Sequence, residues 1–253
     1  MESSNYKKDF LKDKNILVTG ASRGIGRSIA INLSKYGANI IMLAKNEKQL
    51  DQIYDEIKAN DSKTHPLIVG CDLNTLDENK AQEIANIISK DYRHLDALIN
   101  NAGILEKMSS IEDFDLQTWE KVLKTNLTSA FLLSKYTIPL MQLSSLPRII
   151  FTSSGVAKKG RAYWGAYSVS KAGTKVLAEI LNDELESISN FKIFNFNPKA
   201  TQTDMRSIAY PAEDPASLKK PNELIEYYLW MLSETSNSSK EIHIEFGQKL
   251  KTK

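Results

Sequence analysis

Tyr167 and Lys171 stand four residues apart in Tyr167-Ser168-Val169-Ser170-Lys171. On a helix that spacing puts both side chains on one face, one turn apart. A free phenol titrates near pH ~10, and a neighbouring ammonium favours its ionised form. Such a pair can give a proton to a carbonyl oxygen or take one from an alcohol. Ser153-Ser154 lies shortly upstream. A lone Tyr-x-x-x-Lys is common and is equally explained by a solvated helix face. The second fragment is Thr19-Gly20-Ala21-Ser22-Arg23-Gly24-Ile25-Gly26, directly after the apolar run Asn15-Ile16-Leu17-Val18. Gly20, Gly24 and Gly26 lack the Cβ atoms that would keep a dinucleotide pyrophosphate away from the backbone. Free amides at the following helix start favour that anion. An ordinary strand-to-helix turn is the competing explanation, weakened by the strand before and the helix pattern after.

These groups must be held by a scaffold, and the chain supplies one. Apolar runs at 15–18, 39–43, 67–69, 97–99, 148–152, 192–196 and 241–246 predict seven strands. Helical periodicity fills 24–36, with Ile25, Ile29, Leu33 and Tyr36 on one face, and Gly37 ends it. The same pattern recurs at 47–59 and 78–90. Alternating strands and helices imply parallel pairing through right-handed crossovers. Strands apolar at consecutive positions imply helices on both sheet faces. One α/β domain is expected over 1–253. The one long irregular stretch, at about 205–221, carries Pro211, Pro215 and Pro221. A loop of that length in a compact domain is commonly functional, and closure over the site is expected.

The end of the second strand reports on the nucleotide. A carboxylate about 20 residues past the glycines would bind an adenosine ribose 2′-hydroxyl. Ala44-Lys45-Asn46 stands there instead. Lys45 and Arg23 suit a 2′-phosphate, so NADP(H) is preferred over NAD(H); the alternative is that both cations are simply solvated.

With these fragments in this order, the chain resembles the short-chain dehydrogenase/reductase family from about Asp13 to Phe246. The resemblance implies a doubly wound Rossmann-type sheet of strand order 3-2-1-4-5-6-7. It implies that Ser154 hydrogen-bonds the substrate oxygen. It also implies that Tyr167 is the acid/base, that Lys171 holds the nicotinamide ribose, and that Asn126 links Lys171 to a proton-supplying water chain. The glycine turn, with Ser22, Arg23 and Ile25, is its cofactor turn in the G-x-x-x-G-x-G version. Asp72, followed by Leu73, matches its adenine contact. Asn100-Asn101-Ala102-Gly103 matches its turn beside the ribose, with Asn101, Ala102 and Gly103 against the cofactor. In Asn197-Pro198-Lys199-Ala200-Thr201-Gln202-Thr203, the residues Pro198, Thr201 and Thr203 match its nicotinamide segment. Lys199 departs from it, standing where glycine is usual, and either crowds the pocket or points outward. Within the family, Gly160-Arg161-Ala162-Tyr163-Trp164 and the segment 209–215 are similar to bacterial oxidoreductases without an assigned substrate. Arg161, Tyr163 and Trp164 stand either near the substrate mouth or at a subunit contact. The resemblance also implies a homodimer or homotetramer packed through helices around 116–143 and 166–186.

Composition excludes several other functions. Net charge is +2 with both signs interspersed, so no electrostatic footprint for nucleic acid is present. No apolar run reaches the ~18 residues of a membrane span. The charged N-terminal segment lacks a secretory apolar stretch. The only cysteine, Cys71, fits a small buried hydrophobe and a reducing, cytoplasmic setting. His65, His94 and His243 lack metal-ligand spacing, so no metal site is expected. Two other function classes compete with a carbonyl/alcohol oxidoreductase. A nucleotide sensor with little turnover is favoured by Lys199 alone. An S-adenosylmethionine methyltransferase would leave the Tyr-Lys pair unexplained.

Overall fold

The computed structural model describes residues 6–60, 63–187 and 190–250. All seven strands pair in parallel in one sheet of order 3-2-1-4-5-6-7. They are β1 Asn15–Thr19, β2 Asn39–Ala44, β3 Leu67–Gly70, β4 Ala97–Asn100, β5 Arg148–Thr152, β6 Lys192–Asn197 and β7 His243–Glu245. The expected strand at 241–246 is shorter here. Glu241 and Ile242 lie outside the strand, the Glu241 amide donating to Ser239 Oγ at 3.1 Å.

Alternate residues of the central strands feed two cores, one on each face. Ile16, Val18, Ile40 and Met42 pack with α1 (Gly24–Ser34) and α2 (Glu47–Asn60). Leu17, Ile41, Leu43 and Leu98 pack with α3 (Glu78–Tyr92) on the other face. Each fully buried Leu or Ile contributes about 1.5–3 kcal/mol through removal from water. Helix starts are fixed by side-chain acceptors. Asp77 accepts from the Lys80 amide at 2.8 Å ahead of α3, and Asp115 from the Thr118 amide at 2.7 Å ahead of α4 (Leu116–Leu123).

Two expectations are corrected by these local interactions. The helix around 116–143 is not continuous α-helix. After α4 a π-helical turn spans Lys124–Thr128, and α5 covers Ser129–Met141. The widened turn carries Asn126 at its centre, and such turns recur at functional sites. The next helix, α6, runs from Gly165 to Glu186. The stretch 205–221 is not one irregular loop. It opens with α7 (Asp204–Ala209), nucleated when Thr203 Oγ1 accepts from the Arg206 amide at 3.2 Å. Short 3₁₀ turns follow at Pro215–Ser217 and Pro221–Leu224, then α8 (Ile225–Met231). Among the described residues no helix is long and apolar enough to cross a membrane.

Strand order reverses between β1 and β4. Connections leaving these neighbours diverge to opposite faces and open a crevice beyond the carboxyl ends of the strands.

Candidate active site

That crevice is a cleft of about 870 Å³, reaching from the β2 and β3 ends past the glycine turn to the β5 and β6 ends. Its floor is the turn after β1, locked to the turn after β4. Thr19 Oγ1 accepts from the amides of Asn101 and Ala102, both at 3.0 Å, while Asn101 Nδ2 donates to Thr19 O at 3.0 Å. The two turns approach so closely that a Cβ on Gly20 (φ +66°) would lie 2.9 Å from Ala102 Cα. A Cβ on Gly26 would lie 2.1 Å from Gly20 O. Glycine is therefore required at both positions, but for different reasons. Gly20 borders the cleft with Ser22, Arg23, Gly24 and Ile25, whereas Gly26 packs behind the turn and does not line it. No side chain caps the first turn of α1, so its amides are left for an anion. A pyrophosphate fits this cradle; a side chain would not.

At the β2 and β3 end Ala44, Lys45, Asp72 and Leu73 all line the cleft. Lys45 Nζ lies 2.7 Å from Asp72 Oδ2, and this contact holds the Asp72 carboxyl below its usual range. Arg23 makes a looser contact to Asp204, Nη1 to Oδ2 at 3.5 Å. Both cations face solvent, and exposed pairs of this kind are weak, so both can be recruited by a stronger anion.

At the other end, Tyr167 and Lys171 are buried on the cleft side of α6. Lys171 Nζ donates to Thr152 O at 2.7 Å and lies 5.8 Å from the Tyr167 ring centroid. Tyr167 and Ser154 both line the cleft. Ser153 Oγ turns the other way and accepts from Asn195 Nδ2 at 3.2 Å, so Ser154 is the serine in register. Burial pushes the Tyr167 phenol up to about 12, partly offset by the neighbouring Ser154 side chain, and burial pushes Lys171 down to about 8. This corrects the simple expectation that the ammonium lowers the phenol. Inside the protein both charged forms lose their hydration, and that loss dominates.

Asn126 is buried beside the segment that follows β4. Its Oδ1 accepts from the Ile104 amide at 2.8 Å, and its Nδ2 donates to Ile104 O at 2.9 Å and Ser170 Oγ at 3.0 Å. The side chain clamps the segment after β4 rather than reaching Lys171. Gly103 lies between them. A Cβ there would sit 3.5 Å from both Asn126 Oδ1 and Lys171 Nζ.

Pro198, Thr201 and Thr203 line the cleft beside these groups. Thr201 Oγ1 donates to the carbonyls of Pro198 and Lys199 at 3.3 and 3.2 Å, closing its own loop, and Thr203 caps α7. Lys199 has a left-handed backbone, with φ +54°, a conformation that glycine adopts most readily. Its amide donates to Asn197 Oδ1 at 2.9 Å, and its Nζ reaches Glu245 Oε2 on β7 at 3.6 Å. The lysine thus accepts the left-handed conformation and directs its charge to β7.

The segments 160–167 and 209–215 meet across the mouth. Arg161 Nη1 donates to Tyr210 Oη at 2.9 Å. Trp164 stands between Tyr167 and Tyr210, with ring centroids at 5.8 and 5.9 Å. Arg206 stacks on Tyr210 at 3.6 Å and is held by Glu213 through two bonds of 2.6 and 2.7 Å. Arg161 and Trp164 line the cleft, whereas Tyr163 projects outside it. Sequence reasoning missed Thr19, Thr152 and Ser170. Only Thr19 carried a signal, as a hydroxyl at a strand end abutting the glycine turn.

The family model described as short chain dehydrogenase matches residues 14–214. The uncharacterized oxidoreductase YciK of Escherichia coli K12 is 36% identical over 230 residues, covering 91% of this chain and 90% of the relative. A protein of Shigella flexneri 2a strain 301, assigned as a short chain dehydrogenase and complexed with NADP, superposes with a TM-score of 0.91. It is 36% identical, with 94% of this chain and 99% of that one covered. A counterpart from Escherichia coli CFT073, complexed with NADPH, gives a TM-score of 0.91 at 35% identity, with 95% and 99% covered. From its strand order, its glycine cradle and these matches, the chain belongs to the short-chain dehydrogenase/reductase family of oxidoreductases.

Proposed function

We propose that the protein interconverts a small-molecule carbonyl and its alcohol with NADP(H), using Tyr167 as the acid/base. The observation that carries this reading is that Ser154, Tyr167 and the buried Lys171 line one cleft with the glycine cradle. In reduction, Tyr167 Oη gives its proton to the carbonyl oxygen, and Ser154 Oγ steadies the charge developing there. Bound NADPH would supply the hydride. The Lys171 ammonium, fixed by Thr152 O, keeps further donors for the ribose hydroxyls and favours the phenolate left after proton transfer. Asn126 holds the wall that carries Ile104 and Gly103. The chain is read as one domain working in a reducing, cytoplasmic setting, its one cysteine, Cys71, buried and unpaired. The sensor reading rests on Lys199 alone; the placement of its Nζ 3.6 Å from Glu245 Oε2 on β7 supports the enzyme reading instead. The direct test is NADPH oxidation, followed by absorbance, across a set of aldehydes and ketones. Absence of turnover on all of them, with NADPH bound, would refute the reading.

The preference for NADP(H) rests on Arg23 and Lys45 and on the phosphate-bound relatives. A 2′-phosphate carries nearly two charges and forms charge-assisted bonds that exposed carboxylate pairs cannot match. Arg23→Ala with Lys45→Ala should weaken NADPH about tenfold or more and leave NADH within about twofold, given ~1 kcal/mol per cation. Fluorescence titration of both nucleotides measures this. Equal losses for the two would show that the cations do not read the phosphate.

We also infer a homodimer or homotetramer. Val122, Leu132 and Leu181 go to the cores, but Phe131, Val169, Val176 and Ile180 stay exposed along α5 and α6. Apolar surplus on adjacent helix faces marks an interface. Sedimentation should give two or four times the 28.5 kDa chain mass. A monomer at every concentration would contradict it.

A further inference from the structure

The charged residues of the cleft are mostly paired, and the exceptions fall in one place. Of its acids, Asp72 is held by Lys45 at 2.7 Å, Glu106 by Lys121 at 2.7 Å and Asp204 by Arg23 at 3.5 Å. Arg206 and Lys199 point their charges to Glu213 and Glu245. No carboxylate lining the cleft is left to receive a cationic substrate. Lys159 and Arg161 also line it, and among the described residues neither has an ion pair. Arg161 spends one donor on the neutral Tyr210 phenol and keeps the rest of its fork.

Their position selects the ligand they would meet. Both lie between the 3₁₀ turn Gly155–Ala157 and α6, in the segment joining Ser154 to Tyr167. They therefore belong with Ser154 and Tyr167, on a different segment from the glycine turn that carries Arg23 and the β2 end that carries Lys45. The walls next to them are apolar. Ile104, Leu105, Val156, Trp164, Met205 and Ala209 form one cluster with Tyr167 and line the cleft. An apolar chamber with two free cations at its mouth suits a molecule built the same way. Field lines from unpaired charges in a low-dielectric cleft raise the local concentration of anions.

We propose that the substrate is a small carbonyl compound with an apolar body and an anionic head, a carboxylate or a phosphate ester, gripped by Lys159 and Arg161. This rests on the carbonyl–alcohol reading for its carbonyl, but the anion grip stands on the charges alone. Arg161 would meet the head with its planar fork and Lys159 as a point charge. The body would lie against Trp164 and Val156, with the carbonyl oxygen at Ser154 and Tyr167. Tyr210, already bonded to Arg161, would close the mouth from the α7 side.

The test separates binding from turnover. Calorimetric titrations of the intact protein, with and without saturating NADP⁺, use benzoate, octanoate and phenyl phosphate against the neutral benzamide and octanamide. At least one anion should bind about tenfold tighter than its neutral isostere, as charge-assisted contacts require. The Lys159→Ala/Arg161→Ala double variant should remove that difference, while Lys158→Ala on the adjacent exposed position should retain it. Phenyl phosphate ahead of both carboxylates would assign a phosphate head, and the reverse order a carboxylate. Neutral and anionic probes bound alike, or a difference that survives the double variant, would overturn the proposal. NADPH oxidation with 4-carboxybenzaldehyde, 8-oxooctanoate and 4-formylphenyl phosphate is measured alongside. If none is reduced while the anions are still discriminated, the redox reading fails and the anion site remains.

Discussion

Tyr167→Phe is expected to lower turnover of any accepted carbonyl by about 10²–10⁴-fold, the usual weight of a positioned general acid. NADPH affinity should stay within about twofold, because the change removes one hydroxyl and leaves the packed ring, whose neighbour is Trp164 at 5.8 Å. Lys171→Ala should behave differently. Its ammonium is tied to Thr152 O at 2.7 Å and is proposed to hold the ribose hydroxyls, so both turnover and nucleotide affinity should fall. Steady-state rates beside nucleotide titrations give the two quantities separately. Turnover within tenfold of wild type in Tyr167→Phe would remove the phenol from the mechanism. The high phenol value adds a check. In the absence of nucleotide, Tyr167 stays protonated up to about 12, so the donor is already in its working form for reduction throughout the neutral range. Oxidation needs the phenolate and must draw on positive charge brought near it.

The contrast between what the sequence disclosed and what it hid follows the range of the interactions. β1 to β6 are legible because their apolar runs are continuous and bounded by helix patterns, and strand order follows the family resemblance. Gly20, Ser154, Tyr167 and Lys171 are legible because their spacing is local. The continuous helix through 116–143 fails because the π-turn at Lys124–Thr128 is fixed by a contact across 22 residues, Asn126 to Ile104. Nothing in the helical period of Leu116 to Met141 announces it. The α7 helix hides behind Pro211, Pro215 and Pro221, which read as loop. The capping Thr203 precedes all three and is itself a sufficient start signal. Lys199 shows the converse. The residue is not glycine, yet it takes an otherwise unfavourable left-handed conformation, with the Asn197 side chain and Glu245 holding it. The position of a functional loop is thus set by its neighbours as much as by the residue within it.

Arg148 carries the largest stability effect expected of a residue outside the cleft. It begins β5 as an unremarkable strand-end cation in the sequence, yet its side chain is fully buried. Among the described residues no carboxylate pairs with it. Its donors instead go to the carbonyls of Met231 and Pro147 at 3.0 Å, those of Asn190 and Ser233 at 3.3 Å, and the Asn237 side-chain oxygen. Met231 ends α8, so the guanidinium caps that helix and the turn after it while pinning both to the start of β5. Two effects oppose each other in Arg148→Met. Burial pushes the guanidinium down to about 10, so removing the charge relieves a cost of about 3 kcal/mol. Against this, the acceptors lose their partner in a place where a thioether donates nothing, at about 1–3 kcal/mol each when left unsatisfied. The second effect wins because it is repeated over several carbonyls, and the net loss is expected at about 3–5 kcal/mol. At this chain length that lowers Tm by roughly 6–20 °C, read from urea and thermal unfolding. Arg148→Lys keeps a charge but satisfies at most three acceptors, so its loss should be smaller than that of Met. β5 places Arg148 at one end and Thr152, which leads to Ser153 and Ser154, at the other. Whatever fraction stays folded should bind NADPH as the wild type does. A methionine variant as stable as wild type would show that the cost of burying the charge cancels the carbonyl cage, and that α8 is held by its apolar contacts with β6, Phe194 on Trp230 and Phe196 on Tyr228.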